Sequence, residues 1–443
     1  MIYILFIILV LMLLFNYFVN NNILIPSFIL TLSFSLVTFV YVICTGAIPE
    51  PISINTLLII VFSIMAYCMG EMISIGLINR GNLERKCVIQ RAEEDAFLSI
   101  NGIVVVLLAG IVFAAAYIRF MALCNAVGTS TSITSFLSSY ATIRFYIIHG
   151  MSPVLPGWIN LISIVGPCIV KICITIFTYN IVRYRIVQKR YFLIFAVYFF
   201  YLITTTSRTV YLEILLYTVF QFVFLRLFIT EKQPKISWEL LRLALIALVI
   251  FAVIFIVIGN LADKSGSFIK TLFAYSAAGF VGLNQYIAKP YYSPGILYSR
   301  TIRGLLSPFD NFGLVLPEID EFLPHYYYLG GAETSNEYTS LMEPIYDFGI
   351  LGMLITRLLL GMAIVAIFYY IISKSNNIRK YFVIPMFVPM YYALTLAAID
   401  DQFQTFFGVY YIYQVVFTWI MWKVCVKYIG CTFTKCQVQV NIL

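Results

Sequence analysis

Four arginines have the residue type and the surroundings to bind phosphate groups. Arg208 lies in a short polar turn, TTTSRT from position 204, between two short apolar runs, which holds its guanidinium close to their ends. Arginine suits this chemistry because its planar fork binds phosphate oxygens bidentately. Arg300 and Arg303 are three residues apart and, in a helix, would share one face that could clamp a single diphosphate. Arg144 is a weaker candidate, and each of the four could instead extend toward lipid headgroups.

A second group of residues suits the recognition of sugars. The chain reads NEYT from position 336 and YDFGILG from position 346. Amide and carboxylate groups bind polyhydroxylated ligands, and tyrosine rings stack on sugar faces. Asn336, Tyr338 and Tyr346 are therefore the candidate glycan-binding residues.

The sequence favours chemistry without a metal or another cofactor. It holds two histidines, His149 and His325, and no cluster of carboxylates at metal-ligand spacing. It also lacks a Gly-x-Ser-x-Gly elbow and a P-loop, which disfavours serine hydrolysis and ATP-driven transport.

Composition assigns these residues to a membrane protein. Of 443 residues, 62% are hydrophobic and 11% are charged, against roughly 45–50% and 25% in soluble domains. So few charges cannot cover a soluble protein of this size, which excludes a soluble enzyme and a disordered scaffold. The net charge of +8 is dispersed over short connections, so nucleic acid is not expected as a partner.

Eleven runs approach the roughly 20 apolar residues that a bilayer-crossing helix needs. They are 2–19, 23–44, 56–78, 97–118, 154–182, 191–203, 210–225, 243–260, 342–372, 381–399 and 403–422. We therefore predict an all-α polytopic integral membrane protein, with residues 1–443 forming a single membrane domain.

The basic residues predict which connections face the cytoplasm, because basic loops stay inside. One set of connections, which includes 79–96, 183–190 and 423–443, holds 18 Lys or Arg in 75 positions. The other set, which includes 119–153 and 261–341, holds 8 in 136 positions, so we place it outside. Segment 261–341 has 81 residues with 15 Phe or Tyr, and we expect it to fold onto the membrane surface.

Four ionisable residues lie inside the predicted spans, where burial of a charge is costly. They are Glu71, Lys171, Glu213 and Arg357. Ion pairs between helices would explain all four, and the sequence does not show which residues pair.

The pattern resembles the Wzy-type polymerases of bacterial O-antigen or oligosaccharide repeat units. The resemblance rests on about eleven spans, an arginine in a short outside turn (TSRT from position 206), a long late outside loop, and the loop's exit, SNEYT from 335 and YDFGILG from 346. It covers the architecture of nearly the whole chain, whereas the specific motifs lie near 204–213 and 335–352.

The resemblance implies an enzyme similar in architecture to the integral-membrane glycosyltransferases of the C type. Such polymerases transfer a growing glycan from undecaprenyl diphosphate to the non-reducing end of an incoming lipid-linked unit. They act on the outer face of the bacterial inner membrane and use no metal. Arg208, Arg300, Arg303 and Arg144 would then bind the diphosphate leaving group, and the candidate bases are Glu333, Glu337, Asp347 and His325. The implied partners are the lipid-linked donor and acceptor, membrane lipids, a chain-length regulator and a flippase.

Two other classes remain open at this stage. An O-antigen ligase uses the same donor but a lipid A core as acceptor, so loss of the gene would leave bare core instead of single repeat units. A transporter, such as the flippase for the same lipid, tends to place polar groups at the midplane of repeated helices.

The orientation predicts that a cysteine replacing Ser335 is labelled by an impermeant maleimide in intact spheroplasts, because segment 261–341 is outside. A cysteine replacing Ser375, in a predicted inside connection, serves as the matched control. Labelling at 375 with protection at 335 would reverse the topology.

Overall fold

The fold is known from a computed structural model. The residues that the structure describes are 1–20, 22–45, 51–81, 98–148, 157–207, 209–230, 273–290, 292–310, 327–328, 334–335, 338–373 and 383–425, together with the single positions 242, 246 and 249.

Helices form almost all of this described part. They are α1 (Ile2–Asn20), α2 (Pro26–Cys44), α3 (Ile54–Gly81), α4 (Gly102–Val127), α5 (Ile133–Ser138), α6 (Tyr140–Ile148), α7 (Gly157–Tyr184), α8 (Tyr191–Thr204), α9 (Thr209–Thr230), α10 (Ala278–Ala288), α11 (Arg303–Asp310), α12 (Met342–Ser373), α13 (Val383–Leu396) and α14 (Val409–Trp422). Two 3-10 turns, Ile296–Tyr298 and Phe403–Phe407, precede α11 and α14. Helices suit such apolar runs because each pairs its own backbone groups where lipid cannot.

Seven helices in the described ranges are long and apolar enough to cross a membrane, namely α1, α2, α3, α4, α7, α9 and α12. This confirms an all-α, multi-pass membrane protein. Helices α8, α13 and α14 coincide with predicted spans but have only 14 residues each. Most of the predicted span 243–260 lies outside the described residues, so the count of eleven stays a prediction.

Helices α3 and α12 pack closely through two glycines. A Cβ added at Gly70 would lie 2.0 Å from the carbonyl oxygen of Leu358, and one added at Gly361 would lie 2.3 Å from that of Tyr67. Small residues let helix backbones approach in this way in membrane proteins. The crossing matters because α12 also carries Glu343, Asp347 and Arg357.

Two non-helical segments, 338–341 and 397–402, pack against each other inside the bundle. Ser340 donates to the carbonyl of Ala397 from its backbone N–H, at 2.9 Å, and from its hydroxyl, at 2.7 Å. Gly279 of α10 leaves room for this contact, since a Cβ there would lie 3.0 Å from the Ile399 oxygen. Irregular backbone is tolerated within a membrane protein where the protein itself supplies its hydrogen bonds.

Connections that we predict on one side of the membrane contact each other. On the predicted outside, Asn284 of α10 hydrogen-bonds to the carbonyl of Pro51 and to the N–H of Ser53. On the predicted inside, Arg190 of connection 183–190 donates to the hydroxyl of Ser99, at the inside end of the predicted span 97–118. The grouping of the connections therefore agrees with the basic-residue pattern, and the side that each group faces stays a prediction.

The described parts of segment 261–341 are folded. They include α10, α11 and a two-stranded antiparallel ladder of β1 (Tyr327–Tyr328) and β2 (Thr334–Ser335). The rest of the segment lies outside the described residues, so its arrangement as one extracytoplasmic loop stays a prediction.

Substitution of Gly70 by alanine is expected to destabilise the fold by about 1–3 kcal/mol, because the new methyl would force α3 and α12 apart. Gly110→Ala in α4 is the matched control, since no atom lies within 4 Å of its added Cβ and alanine is the better helix former. Thermal unfolding of the purified protein in detergent measures both. Equal melting temperatures for the two variants would contradict the close crossing.

Candidate functional site

Asp347 holds the turn that carries Arg300. One carboxylate oxygen accepts from the backbone N–H of Arg300 at 2.9 Å. The other accepts from the hydroxyl of Ser299 and the N–H of Thr301, both at 2.7 Å. Hydrogen bonds to a charged acceptor are among the stronger ones in proteins, so the backbone of this turn is tied to the start of α12.

Gly349 explains why Asp347 can make these contacts. It interrupts α12 with φ 70° and ψ −179°, a backbone region open essentially to glycine alone. The two helical turns before it therefore leave the axis of the long helix. The carbonyl of Tyr346 instead accepts from the N–H of Ser293, at 2.8 Å, which adds a second tie to the preceding connection.

Arg300 lies among aromatic groups with part of its guanidinium unpaired. Its Cζ is 6.0 Å from the centre of the Tyr346 ring, and its Nε is buried without a hydrogen-bond partner. Burial raises the pKa of Tyr338 to about 12, and the positive charge of Arg300 opposes this rise. The structure thus brings together three residues that the sequence singled out, Arg300, Tyr338 and Tyr346.

Glu343 was not among the sequence candidates, although it lies one helical turn before Asp347 on the same helix face. It is close enough to interact electrostatically with Arg300, Asp347 and Asp401. Its Oε2 atom is buried and has no hydrogen-bond partner. The four-residue spacing of Glu343 and Asp347 could have indicated from the sequence that both carboxyl groups lie on one face of a helix.

Asp401 and its neighbour Asp400 complete the acidic side of the site. Asp401 accepts from the N–H of Phe403 at 2.9 Å. Burial raises the pKa of Asp401 to about 6, and the guanidinium of Arg357 opposes this rise. Glu343 also interacts electrostatically with Asp400.

Arg357 is a buried guanidinium that interacts electrostatically with Asp401. It is 2% exposed, and its Nη2 donates to the carbonyl and the hydroxyl of Ser340. Its Cζ lies 5.1 Å from the centre of the Phe403 ring, whereas its Nε and Nη1 have no hydrogen-bond partner. The sequence marked Arg357 as a charge inside a span but assigned it no chemistry.

These six ionisable residues are called the polar cluster below: Arg300, Glu343, Asp347, Arg357, Asp400 and Asp401. The cluster combines four carboxyl groups with two guanidiniums, so it has groups that can accept a proton and groups that can stabilise negative charge. Within the described ranges, no group of three or more His, Cys, Asp or Glu could hold a metal ion. For the whole chain, chemistry without a metal stays a prediction.

A second group of arginines holds the turn between α8 and α9. Arg144 Nη1 donates to the carbonyl of Thr206 at 2.5 Å. Arg119 donates from Nε to the carbonyl of Thr204 at 3.4 Å and from Nη1 to the hydroxyl of Ser163 at 3.2 Å. Thr206 has φ 55°, which is uncommon for a β-branched residue. Arg144 therefore supports the backbone of the turn.

This turn lies near the end of α13, the helix that leads into Asp400 and Asp401. Tyr392 of α13 donates to the carbonyl of Thr209 at 3.5 Å. The neighbours of position 208, Ser207 and Thr209, share a hydroxyl hydrogen bond of 2.6 Å. Two arginine-bearing regions far apart in sequence are thus linked by one helix.

The condition under which Arg300 and Arg303 would share one helix face is not met. Helix α11 begins at Arg303, and Arg300 precedes it in the turn held by Asp347. The side chain of Arg303 donates instead to the carbonyl of Leu297 at 3.3 Å. The competing carboxylate of Asp347 shapes the backbone here, so the two arginines do not share one helix face.

Five sequence candidates lie outside the described residues, and their roles stay predictions. They are Arg208, His325, Glu333, Asn336 and Glu337.

The other charges inside the spans have partners that the sequence did not show. Lys171 of α7 lies 3.2 Å from Glu213 of α9, and the two form an ion pair between these helices. Glu71 of α3 accepts from the N–H and the hydroxyl of Ser27 at 3.0 and 2.9 Å. These contacts join neighbouring helices and account for the three residues structurally.

The chain matches no protein-family model, no curated protein and no solved structure. What supports a function therefore comes from the site itself and from the motifs quoted above.

Substitution of Asp347 by asparagine is expected to loosen the turn 299–301. The amide offers one acceptor oxygen, so its NH₂ group would face a backbone or hydroxyl donor. Hydrogen bonds to a charged group contribute about 1.5–3 kcal/mol, so amide exchange at Arg300 and Thr301 should accelerate roughly 10- to 100-fold. Hydrogen–deuterium exchange measures this, with Ser293→Ala as the control. Unchanged protection in Asp347→Asn would show that the carboxylate does not hold the turn.

Proposed function

We propose that the protein is a glycosyltransferase that polymerises lipid-linked oligosaccharide repeat units. It would transfer the growing glycan from undecaprenyl diphosphate to the non-reducing end of an incoming unit. The observation that best supports this is Arg300, fixed through its backbone by Asp347, with a buried unpaired N–H and within electrostatic range of Glu343, whose Oε2 has no hydrogen-bond partner. One cation and one candidate base in the same polar cluster suit a transfer with an anionic leaving group.

The reaction needs little beyond these two groups. As the bond from the anomeric carbon to the diphosphate oxygen breaks, the leaving group takes the electron pair, and Arg300 stabilises its charge. The acceptor hydroxyl oxygen forms the new bond and gives its proton to a base. We assign this base to Glu343, with Glu333, Glu337 and His325 as the other candidates. Asp347 is already engaged by three donors, which favours a positioning role.

Tyr338 and Tyr346 differ in exposure, which suggests different roles for the two rings. Tyr346 is 3% exposed and its ring contacts Arg300, so it suits the positioning of the guanidinium. Tyr338 is only partly buried and is the better surface for a sugar ring. Asn336 would contribute amide contacts next to it.

The remaining parts of the proposal follow from the resemblance. The active face would be extracytoplasmic, on the bacterial inner membrane, in a glycosyltransferase-C-like architecture of about eleven spans. Arg208 and Arg144 would bring positive charge to the diphosphate from the turn before α9. A chain-length regulator and a flippase would be partners, and a ligase would differ only in its acceptor.

A transporter is the second candidate, and one observation favours it. α12 is interrupted at Gly349, and Arg357, which donates to Ser340 of segment 338–341, keeps its Nε and Nη1 buried without a hydrogen-bond partner. Discontinuous helices around a buried polar site are typical of transporters. Transport of the same lipid-linked unit would place its polar group in the cluster without any bond being broken.

The test uses purified protein in liposomes that carry lipid-linked repeat units. Lengthening of the glycan on a gel supports the polymerase, and EDTA should not stop it. Arg300→Ala should reduce the rate about 10²–10³-fold, and Arg300→Lys should restore little, because an ammonium lacks the bidentate fork. Glu343→Gln should also reduce the rate, since the amide cannot accept the proton.

Lys289→Ala is the matched control, because Lys289 is an exposed cation of the same connection. Translocation of the units without lengthening would favour the transporter. Full activity of Arg300→Ala would remove the leaving-group assignment. In a deletion strain, single repeat units on the lipopolysaccharide indicate a polymerase, and bare core indicates a ligase.

A further inference from the structure

Residues 292–305 present large apolar side chains outside the protein. Tyr292 is 55% exposed, Ile296 64%, Leu297 37% and Leu305 41%. The loop is nevertheless ordered by its own contacts, since the hydroxyl of Ser293 donates to the Gly295 carbonyl at 2.8 Å. An ordered loop that keeps several apolar side chains exposed needs an apolar environment around them.

Basic residues predominate in this part of the chain. Between positions 289 and 310 it carries Lys289, Arg300 and Arg303 and one acidic residue, Asp310, while the carboxylate of Asp347 binds the turn 299–301. Apolar side chains next to basic ones are typical of segments that lie in the interface of a membrane. The basic groups then lie at the depth of the lipid phosphates, which accept hydrogen bonds from arginine.

The geometry of α12 places this region at a membrane surface. After Gly349, the helix continues for 24 residues, from Ile350 to Ser373, which is about 36 Å at 1.5 Å per residue. This length crosses the roughly 30 Å hydrocarbon core, so the Gly349 end lies at an interface. Ser293 bonds to the Tyr346 carbonyl and the 299–301 turn to Asp347, each within three residues of Gly349.

We propose that residues 292–305 form an interfacial platform that inserts Tyr292, Ile296 and Leu297 among the lipids of the leaflet beside Gly349, with Arg300 and Arg303 at the depth of the lipid phosphates. The ligand is the headgroup of an anionic phospholipid. This platform does not depend on the proposed glycosyl transfer, because it requires only that α12 spans the membrane.

The platform also predicts a direction of approach for any lipid-linked substrate. The platform connects the leaflet to the polar cluster through the turn 299–301, so a diphosphate at headgroup depth reaches Arg300 from the plane of the membrane.

The test places an environment-sensitive fluorescent amino acid at position 296 of the full chain, reconstituted in liposomes. We expect blue-shifted emission and strong quenching by lipids labelled near the headgroup. Position 133 in α5 is the matched control, because Ile133 is 59% exposed but lies among Ser and Thr, and it should emit as in water. Position 359 in the middle of α12 is the deep control, since Leu359 is 56% exposed there and should respond to labels at the chain ends.

A second arm tests the charge. Quenching at 296 by brominated phosphatidylglycerol should exceed quenching by the same fraction of brominated phosphatidylcholine, and Arg303→Gln should reduce this preference about fivefold. Probes at 297 repeat the measurement in case the 296 variant does not fold.

Water-like, unquenched emission at both 296 and 297 would overturn the platform. Equal quenching at 296 and 133 would do the same, because exposure alone would then explain the signal. Neither result depends on glycan synthesis, so the platform and the proposed function can fail separately.

Discussion

The carboxylate of Asp347 joins the connection before α12 to the first two turns of that helix. Its three hydrogen bonds require a turn at 299–301 whose N–H groups point toward the carboxylate. They also require that the first helical segment of α12 ends just after Asp347. Gly349 supplies the second condition by adopting a backbone conformation that other residues avoid. Arg300, Tyr346 and the apolar tip at 296–297 all take their places from this junction.

Two buried cations are treated differently by the fold. Lys171 has a carboxylate partner in Glu213 at 3.2 Å and a tyrosine ring nearby, so its charge is compensated between α7 and α9. Arg357 has a carbonyl, a hydroxyl and an aromatic ring, and two of its nitrogens have no hydrogen-bond partner. Keeping an incompletely paired guanidinium buried is costly. Because of this cost we include Arg357 in the polar cluster. Lys171, whose charge is compensated, is a structural contact between helices.

Both proposed functions rely on the same physical feature, positive charge held near carboxyl groups in a partly or fully buried place. Such groups interact more strongly than they would in solution, and they need no reorganisation when a charged ligand arrives. A polymerase would use that preorganisation on a leaving diphosphate, and a transporter would use it to bind the same group without chemistry. The interfacial platform serves either, because both ligands are lipids.

The sequence alone determined the class of protein and the positions of most helices, because these depend on local composition and on the length of apolar runs. Ten of the eleven predicted spans coincide with described helices, from α1 at Ile2–Asn20 to α14 at Val409–Trp422. It also indicated Arg300, Tyr338 and Asp347 through their residue types. Only the tertiary structure decided that Asp347 holds a turn 46 to 48 residues earlier and that Lys171 pairs with Glu213. Contacts between residues so far apart in the sequence depend on how whole helices pack. The local sequence around each residue therefore does not predict its partner.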